Sequence, residues 1–104
     1  MRREAVEQRT VVHGQEDPRV IELHRAVTRL RRELAGYRAD LADRGTAEEE
    51  LAAVDAMIRA GGPDIARLRH SLLLIAGAIG SVSALAGALG AVRNAVELFG
   101  RPSG

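Results

Sequence analysis

Apolar residues in the first half of the chain recur at alternating spacings of three and four, which is the pattern of a helical heptad seam. The seam runs through Val20, Leu23, Val27, Leu30, Leu34, Tyr37 and Leu41. Asp17 can cap this helix, and Pro18 suits a first helical turn, where its missing N–H is not needed. The pattern therefore predicts a first helix over about 18–43, ended by Gly45.

A second helix is predicted directly after it. Thr46 and Glu49 have the spacing of a capping box. Three consecutive glutamates, at 48–50, lie in the first turn, where the helix dipole favours negative charge. Two glycines, at 61 and 62, stop the helix, so we expect it over about 46–60. Its apolar face consists of Leu51, Val54, Met57 and Ile58.

The remaining helical region carries no charge from Ser71 to Val92. As one unbroken helix it would be about 55 Å long, against about 40 Å and about 22 Å for the two helices before it. A break at Gly80 and Ser81 removes this mismatch, because glycine can end a helix and serine can start the next. We therefore expect helices over about 64–79 and 82–98, with one continuous kinked helix as the alternative. The predicted fold class is all-α, a small bundle of three long or four helical segments.

Three rows of residues follow the helical repeat in this uncharged region. One row is mostly bulky, a second contains Leu85, Val92 and Phe99, and a third is small throughout. Small residues let another backbone approach closely, so the third row, or the second as an outer row, is the predicted working surface. The candidate interaction residues are Gly77, Gly80, Ala84, Leu85, Gly87, Ala91, Val92 and Phe99.

The ends of the chain are predicted to lie outside the helical domain. Residues 1–16 are expected to form a flexible N-terminal arm, 17–100 a single helical domain, and 101–104 a tail. The arm holds a short stretch of extended type, from Thr10 to Gly14. As an exposed strand this stretch can pair with the sheet edge of a partner or with copies of itself; the alternative is a plain flexible tail.

Composition excludes several classes of function. The net charge of the 104 residues is +1, which gives no electrostatic case for nucleic acid, and an interface through Arg25, Arg29 and Arg32 ranks last among the hypotheses. The absence of cysteine excludes disulfides, thiolate metal sites and thiol catalysis. The N-terminus has no apolar stretch typical of a secretory signal, so the expected location is the cytoplasm, with membrane association as the alternative.

The sequence offers no residues that we can assign to catalysis, a cofactor or a metal. The histidines are His13, His24 and His70, and neither helical one has a ligand three or four residues away. Consecutive glutamates at 48–50 point in different directions on a helix, so helix-start stabilisation is the better interpretation. No nucleophile elbow or phosphate-binding loop is present. We therefore expect a protein that is not an enzyme and needs no cofactor.

Four segments carry a resemblance: DPRV (17–20), LRRELAGYRADLADR (30–44), AEEELAAVDAMI (47–58) and RLRHSLLLIAGAIGSVSALAGAL (67–89). They resemble a family of small actinobacterial helical proteins known only as a domain of unknown function. More loosely, the third helical region is similar to helical modules of bacterial conflict and regulated-death systems. In such modules a short Val/Gly-rich stretch with self-assembly potential often precedes the helices, and Thr10 to Gly14 is similar to a truncated version of that stretch.

These observations lead to two hypotheses from different classes. The first is a non-enzymatic helical module for self-association or for binding a helical partner, in bacterial signalling or conflict. The second is a membrane-active effector that inserts residues 71–92, since 22 uncharged residues meet the length of a span. Nine of them are Leu, Ile or Val, which together favour insertion by only about 3–5 kcal/mol.

Overall fold

A computed structural model describes residues 17–100 of the chain. Within this range there are four α-helices and no strand, so the predicted all-α bundle with four helical segments is confirmed. The helices are α1 (Pro18–Gly36), α2 (Arg44–Arg59), α3 (Ile65–Ile79) and α4 (Ala86–Phe99), and a short 3₁₀ helix (Ser83–Leu85) precedes α4. The predicted arm with its Thr10–Gly14 stretch, and the predicted tail, lie outside the described residues.

The start of α1 is built as the sequence predicts. Pro18 occupies the first turn, and the carboxylate of Asp17 accepts a hydrogen bond from the backbone N–H of Arg19 at 2.9 Å. The Arg19 side chain bonds the same carboxylate, and these bonds lower the pKa of Asp17 below its usual value. An ionised carboxylate at this position satisfies backbone donors that the helix itself leaves free.

The prediction that α1 continues to residue 43 is wrong, because the helix ends at Gly36. The next residue, Tyr37, already has extended backbone angles. The last carbonyls of a helix need donors from outside it. Here the side chain of Arg44 serves one of them, together with two carbonyls of the loop that follows. The guanidinium of Arg44 donates hydrogen bonds to the backbone carbonyls of Leu34 (2.6 Å), Tyr37 and Ala39 (3.1 Å).

The predicted start of α2 is also corrected. The helix begins at Arg44, two residues before Thr46, and Thr46 and Gly45 both lie inside it. Asp43 at the cap position makes no side-chain capping hydrogen bond, so the predicted capping box is absent. The hydrogen bonds from Arg44 to the end of α1 hold the first residue of α2 beside α1, which gives the helix an earlier start than local capping would.

The end of α2 agrees with the prediction. The helix stops at Arg59, and Gly61 has a φ of +99°. This left-handed conformation strains any residue that carries a Cβ, so glycine is required there.

The predicted break in the uncharged region is present. α3 ends at Ile79, and a Cβ at Gly80 would collide with the carbonyl oxygen of Ala76. Glycine therefore allows this tight end of the helix. The start of the last helix differs from the predicted residue 82, because the 3₁₀ helix intervenes and α4 begins at Ala86.

Each helix packs against two others, in the order α1, α2, α3, α4 and back to α1. Short connections make successive helices antiparallel neighbours. Their inward faces form one aliphatic core, in which the predicted seam of α1 takes part. The fully buried large side chains are Leu23, Val27, Leu30, Leu34, Leu51, Val54, Leu68, Ile75, Ile79, Leu85, Val92 and Val96.

Candidate interaction surfaces

The predicted stripe of small residues lies mostly on the surface. Gly77, on α3, and Gly80, at the break, are exposed, as are Ala84 and Gly87, while Ala91 is partly buried. No other helix or side chain lies within 4 Å of the position that a Cβ at Gly77 would occupy. The stripe therefore leaves an open depression on α3. The break at Gly80 separates the part of the stripe on α3 from Ala84 in the 3₁₀ helix and from Gly87 and Ala91 on α4.

The second row, which the sequence predicts as an outer row, is not on the surface of the protein. Leu85 is 2% exposed and Val92 is 1% exposed, so both belong to the core. Phe99 is partly buried against it, and the guanidinium of Arg19 lies 5.0 Å from the centre of its ring. The break at Gly80 redirects the chain, and α4 turns this row toward α1.

Two leucines of α3 face solvent instead. Neither was among the predicted interaction residues. Leu73 is 71% exposed and Leu74 is 36% exposed. Leu73 lies four residues before Gly77, so it continues the stripe of small residues toward the start of α3. Extending the stripe upstream by one helical turn would have found it.

The outward face of α3 is therefore apolar and uncharged beyond His70. It combines a projecting side chain, Leu73, with the depression at Gly77, one helical turn away. A groove of about 470 Å³ between α3 and α4 adjoins it, lined by Leu73 and by Arg69, Arg93 and Glu97. We call the surface formed by Leu73, Leu74 and Gly77 the α3 face.

A second surface lies on the opposite hairpin. A groove of about 1080 Å³ between α1 and the end of α2 is lined by Arg25, Arg29 and Arg32, which the sequence places on one solvated face. The structure adds His24 and Arg59 to the same groove. We call this surface the basic groove.

Asp55, a buried carboxylate beside this groove, is a residue that sequence reasoning missed. It is 8% exposed, and it lies 2.9 Å from the guanidinium of Arg59, 3.5 Å from that of Arg31 and 3.9 Å from the ring of His24. These contacts join α2 to α1. Asp55 lies four residues after Leu51 and therefore on the apolar side of α2. This spacing could have identified it as a buried carboxylate from the sequence.

The glutamates at 48–50 do not act together. Glu50 accepts a hydrogen bond from the Ser71 hydroxyl at 2.9 Å, which ties α2 to α3. The other two are exposed, and Glu48 lies 3.9 Å from Arg44. Because α2 begins at Arg44, its first turn contains no acidic residue, so the predicted stabilisation of the helix start by these glutamates is wrong. The run contributes to packing through Glu50.

The histidines within the described range do not form a metal site. His24 is on α1 and His70 is on α3, and both are exposed. Across residues 17–100, no three side chains of His, Asp or Glu come together in a way that could hold a metal ion.

The uncharged run from 71 to 92 is divided between α3, the break and α4. None of the helices described for residues 17–100 combines the length and the apolar character that crossing a bilayer requires.

The chain belongs to the family of unknown function DUF5955, whose model matches residues 12–100. This confirms the predicted membership of a family of unknown function. Comparisons with curated proteins and with solved structures each gave no match.

Proposed function

We propose that the protein is a non-enzymatic helical module that self-associates through the α3 face. The observation that carries the proposal is Leu73, a large apolar side chain that is 71% exposed and lies one helical turn from the exposed Gly77. Covering it with a second copy of the chain removes this apolar surface from water, which is favourable by about 25 cal/mol per Å².

A second copy fits because the α3 face is complementary to itself. In an antiparallel pair of α3 helices with a two-fold axis beside residue 75, Leu73 of each copy lies over Gly77 of the other. The missing Cβ at Gly77 lets the two backbones approach closely. Since each copy offers the same patch, the contact is closed and symmetric. Two uncharged faces also meet without repulsion.

The size of α3 sets the strength of association that we expect. Its 15 residues are about 22 Å long, so one helix pair covers less than the 1,200–2,000 Å² or so of a stable interface. We therefore propose a reversible dimer that forms at micromolar concentration or above.

Sedimentation velocity of the full chain, from low to high micromolar concentration, tests the proposal. We expect the weight-average mass to rise toward that of a dimer, and Leu73→Gln to remove the rise. Ile21→Gln is the matched control, because Ile21 is an exposed aliphatic residue (40%) on α1, away from the α3 face. A wild-type chain that stays monomeric throughout, or equal loss in both variants, contradicts the proposal.

In this proposal the module acts in the bacterial cytoplasm, in signalling or conflict. The support is the resemblance of residues 67–89 to helical modules of such systems. In that setting a weak dimer responds to local concentration, because tethering several copies makes the contact effectively intramolecular.

The alternative of a membrane-active effector rests on the same leucines. Leu73 and Leu74 are exposed on the helix that also carries exposed Arg67 and Arg69, the combination that binds an anionic bilayer surface. Inserting residues 71–92, however, would withdraw Ile75 and other core residues from the bundle. Co-sedimentation with anionic and with neutral vesicles, together with dye release, distinguishes this alternative: protein that stays in the supernatant with no leakage excludes it.

A further inference from the structure

We propose that the basic groove between α1 and α2 binds an acidic amphipathic helix of a partner protein. The groove holds about 1080 Å³ and lies on the hairpin opposite the α3 face. None of its lining residues belongs to α3 or α4. The proposal therefore concerns a separate partner and is independent of self-association.

The charge of the groove is the first argument. Four arginines line it, Arg25, Arg29, Arg32 and Arg59, and no acidic side chain does. Three of them have carboxylate neighbours, at 3.7 Å for Arg25, 3.0 Å for Arg29 and 2.9 Å for Arg59. Arg32 has no ion pair among the described residues. The pairs of Arg25 and Arg29 are exposed and therefore weak, so an incoming carboxylate can compete for these two guanidinium groups.

The spacing of the arginines matches a helical ligand. Arg25, Arg29 and Arg32 follow one another at four and three residues, on one side of α1 over about 10 Å. Glutamates at spacings of three and four on a second helix repeat over the same distance. Guanidinium groups bind carboxylates with two parallel hydrogen bonds, so such pairs fix the register of the ligand.

The apolar part of the groove favours a protein ligand over nucleic acid. Val20, Ile21 and Ile58 line it beside the arginines, and Ile21 is 40% exposed. An amphipathic helix covers such residues with its own apolar side, as in other helix-in-groove complexes. Single-stranded nucleic acid is commonly held by aromatic side chains that stack on bases, and no aromatic residue lines the groove.

Fluorescence anisotropy with a labelled helical peptide tests the proposal on the full chain. The probe is a designed peptide of about sixteen residues with leucines along one side and glutamates flanking them. Its controls are a scrambled peptide of the same composition and a labelled single-stranded DNA of similar length. We expect the designed peptide to bind more tightly than both.

Matched variants locate the contact. We expect Arg32→Glu to weaken peptide binding by about tenfold or more, and Ile21→Gln to weaken it as well. Two controls change exposed residues of α3, outside the groove. Arg67→Glu makes the same change of charge as Arg32→Glu, and Leu73→Gln replaces an apolar side chain as Ile21→Gln does. Both controls should leave peptide binding unchanged. Circular dichroism of each variant checks that it remains folded.

Three results would overturn the proposal. The first is no rise in anisotropy with the designed peptide at high micromolar protein. The second is equal loss in Arg32→Glu and Arg67→Glu, which indicates attraction by charge alone. The third is tighter binding of the DNA, which assigns the groove to nucleic acid. Dimerisation through the α3 face is measured separately and survives each of these results.

Discussion

The N-terminal hairpin (α1 and α2) and the C-terminal hairpin (α3 and α4) contribute similar aliphatic residues to one core but present different surfaces to solvent. Ion pairs such as Arg29–Glu33 and Arg44–Glu48 cover the first hairpin. Between Ser71 and Val92 the second hairpin carries no charge at all. Charged side chains keep an outward face in water, whereas an uncharged face with a projecting leucine gains by being covered.

The largest effect on stability is expected inside the C-terminal hairpin, where a buried leucine can be compared directly with an exposed one. Leu85→Ala should lower the free energy of unfolding by about 2–5 kcal/mol, because it opens a cavity in the core. Leu73→Ala should change it by no more than about 0.5 kcal/mol, because that side chain is in water. Urea denaturation below the dimerisation range measures both. Similar losses in the two variants would mean that the burial of this hairpin is misassigned.

In the N-terminal hairpin the corresponding test concerns buried charge. Asp55→Ala removes a carboxylate shared by two arginines and should cost about 1–3 kcal/mol. Glu48→Ala removes an exposed ion pair and should cost no more than about 0.5 kcal/mol. The same denaturation experiment checks this pair. If Asp55→Ala were as mild as Glu48→Ala, the carboxylate would not join α1 to α2 as we describe.

The turn between the hairpins gives a smaller effect. Gly61→Ala places a Cβ at a φ of +99° and should lower the free energy of unfolding by about 1–2 kcal/mol. Gly62→Ala, one residue later, has open space around it and no positive φ, so we expect little change. Thermal unfolding of both variants provides the comparison. Equal melting temperatures would show that this turn relaxes without strain.

The smallest effect is expected at the start of α1. Asp17→Ala removes the helix cap and should cost about 0.5–1 kcal/mol at neutral pH. Hydrogen bonds from Arg19 lower the pKa of Asp17, so its contribution is fully present above its ordinary value of 3.8 and is lost as the pH falls through the lowered value. Asp17→Asn can still cap and should lack this step. A wild-type acid profile that matches that of Asp17→Asn would contradict the assignment.

Charge determines how well each hairpin could be predicted from sequence. On α1 the arginines mark the outside, and the residues of the seam, such as Leu23 and Val27, are buried as expected. On the second hairpin none of the three rows carries a charge between Ser71 and Val92, so the pattern could not tell which row faces water. It placed Leu85 and Val92 on the surface and overlooked Leu73. Where no charge marks the outside, only the path of the chain after Gly80 decides which row is buried.

Long-range hydrogen bonds account for the misplaced helix ends. Arg44 binds carbonyls up to ten residues before it, so α1 ends at Gly36 although the apolar spacing continues to Leu41. The capping box at Thr46 was predicted from the local spacing of residues. That spacing gives no information on the hydrogen bond between Arg44 and Leu34, ten residues apart. The breaks that depend on glycine itself, at Gly61 and Gly80, were predicted correctly because their cause is local.

Oxidative cross-linking of single-cysteine variants tests the central claim, the antiparallel α3 contact, most directly. The chain has no cysteine of its own, so each variant reports one position. With the two-fold axis beside residue 75, the two copies of position 74 are about 3 Å apart along the helices and those of position 66 about 27 Å apart. We expect Leu74→Cys to form a disulfide-linked dimer readily and Ala66→Cys to remain monomeric. No cross-link at position 74, or equal cross-linking at both positions, would contradict the account.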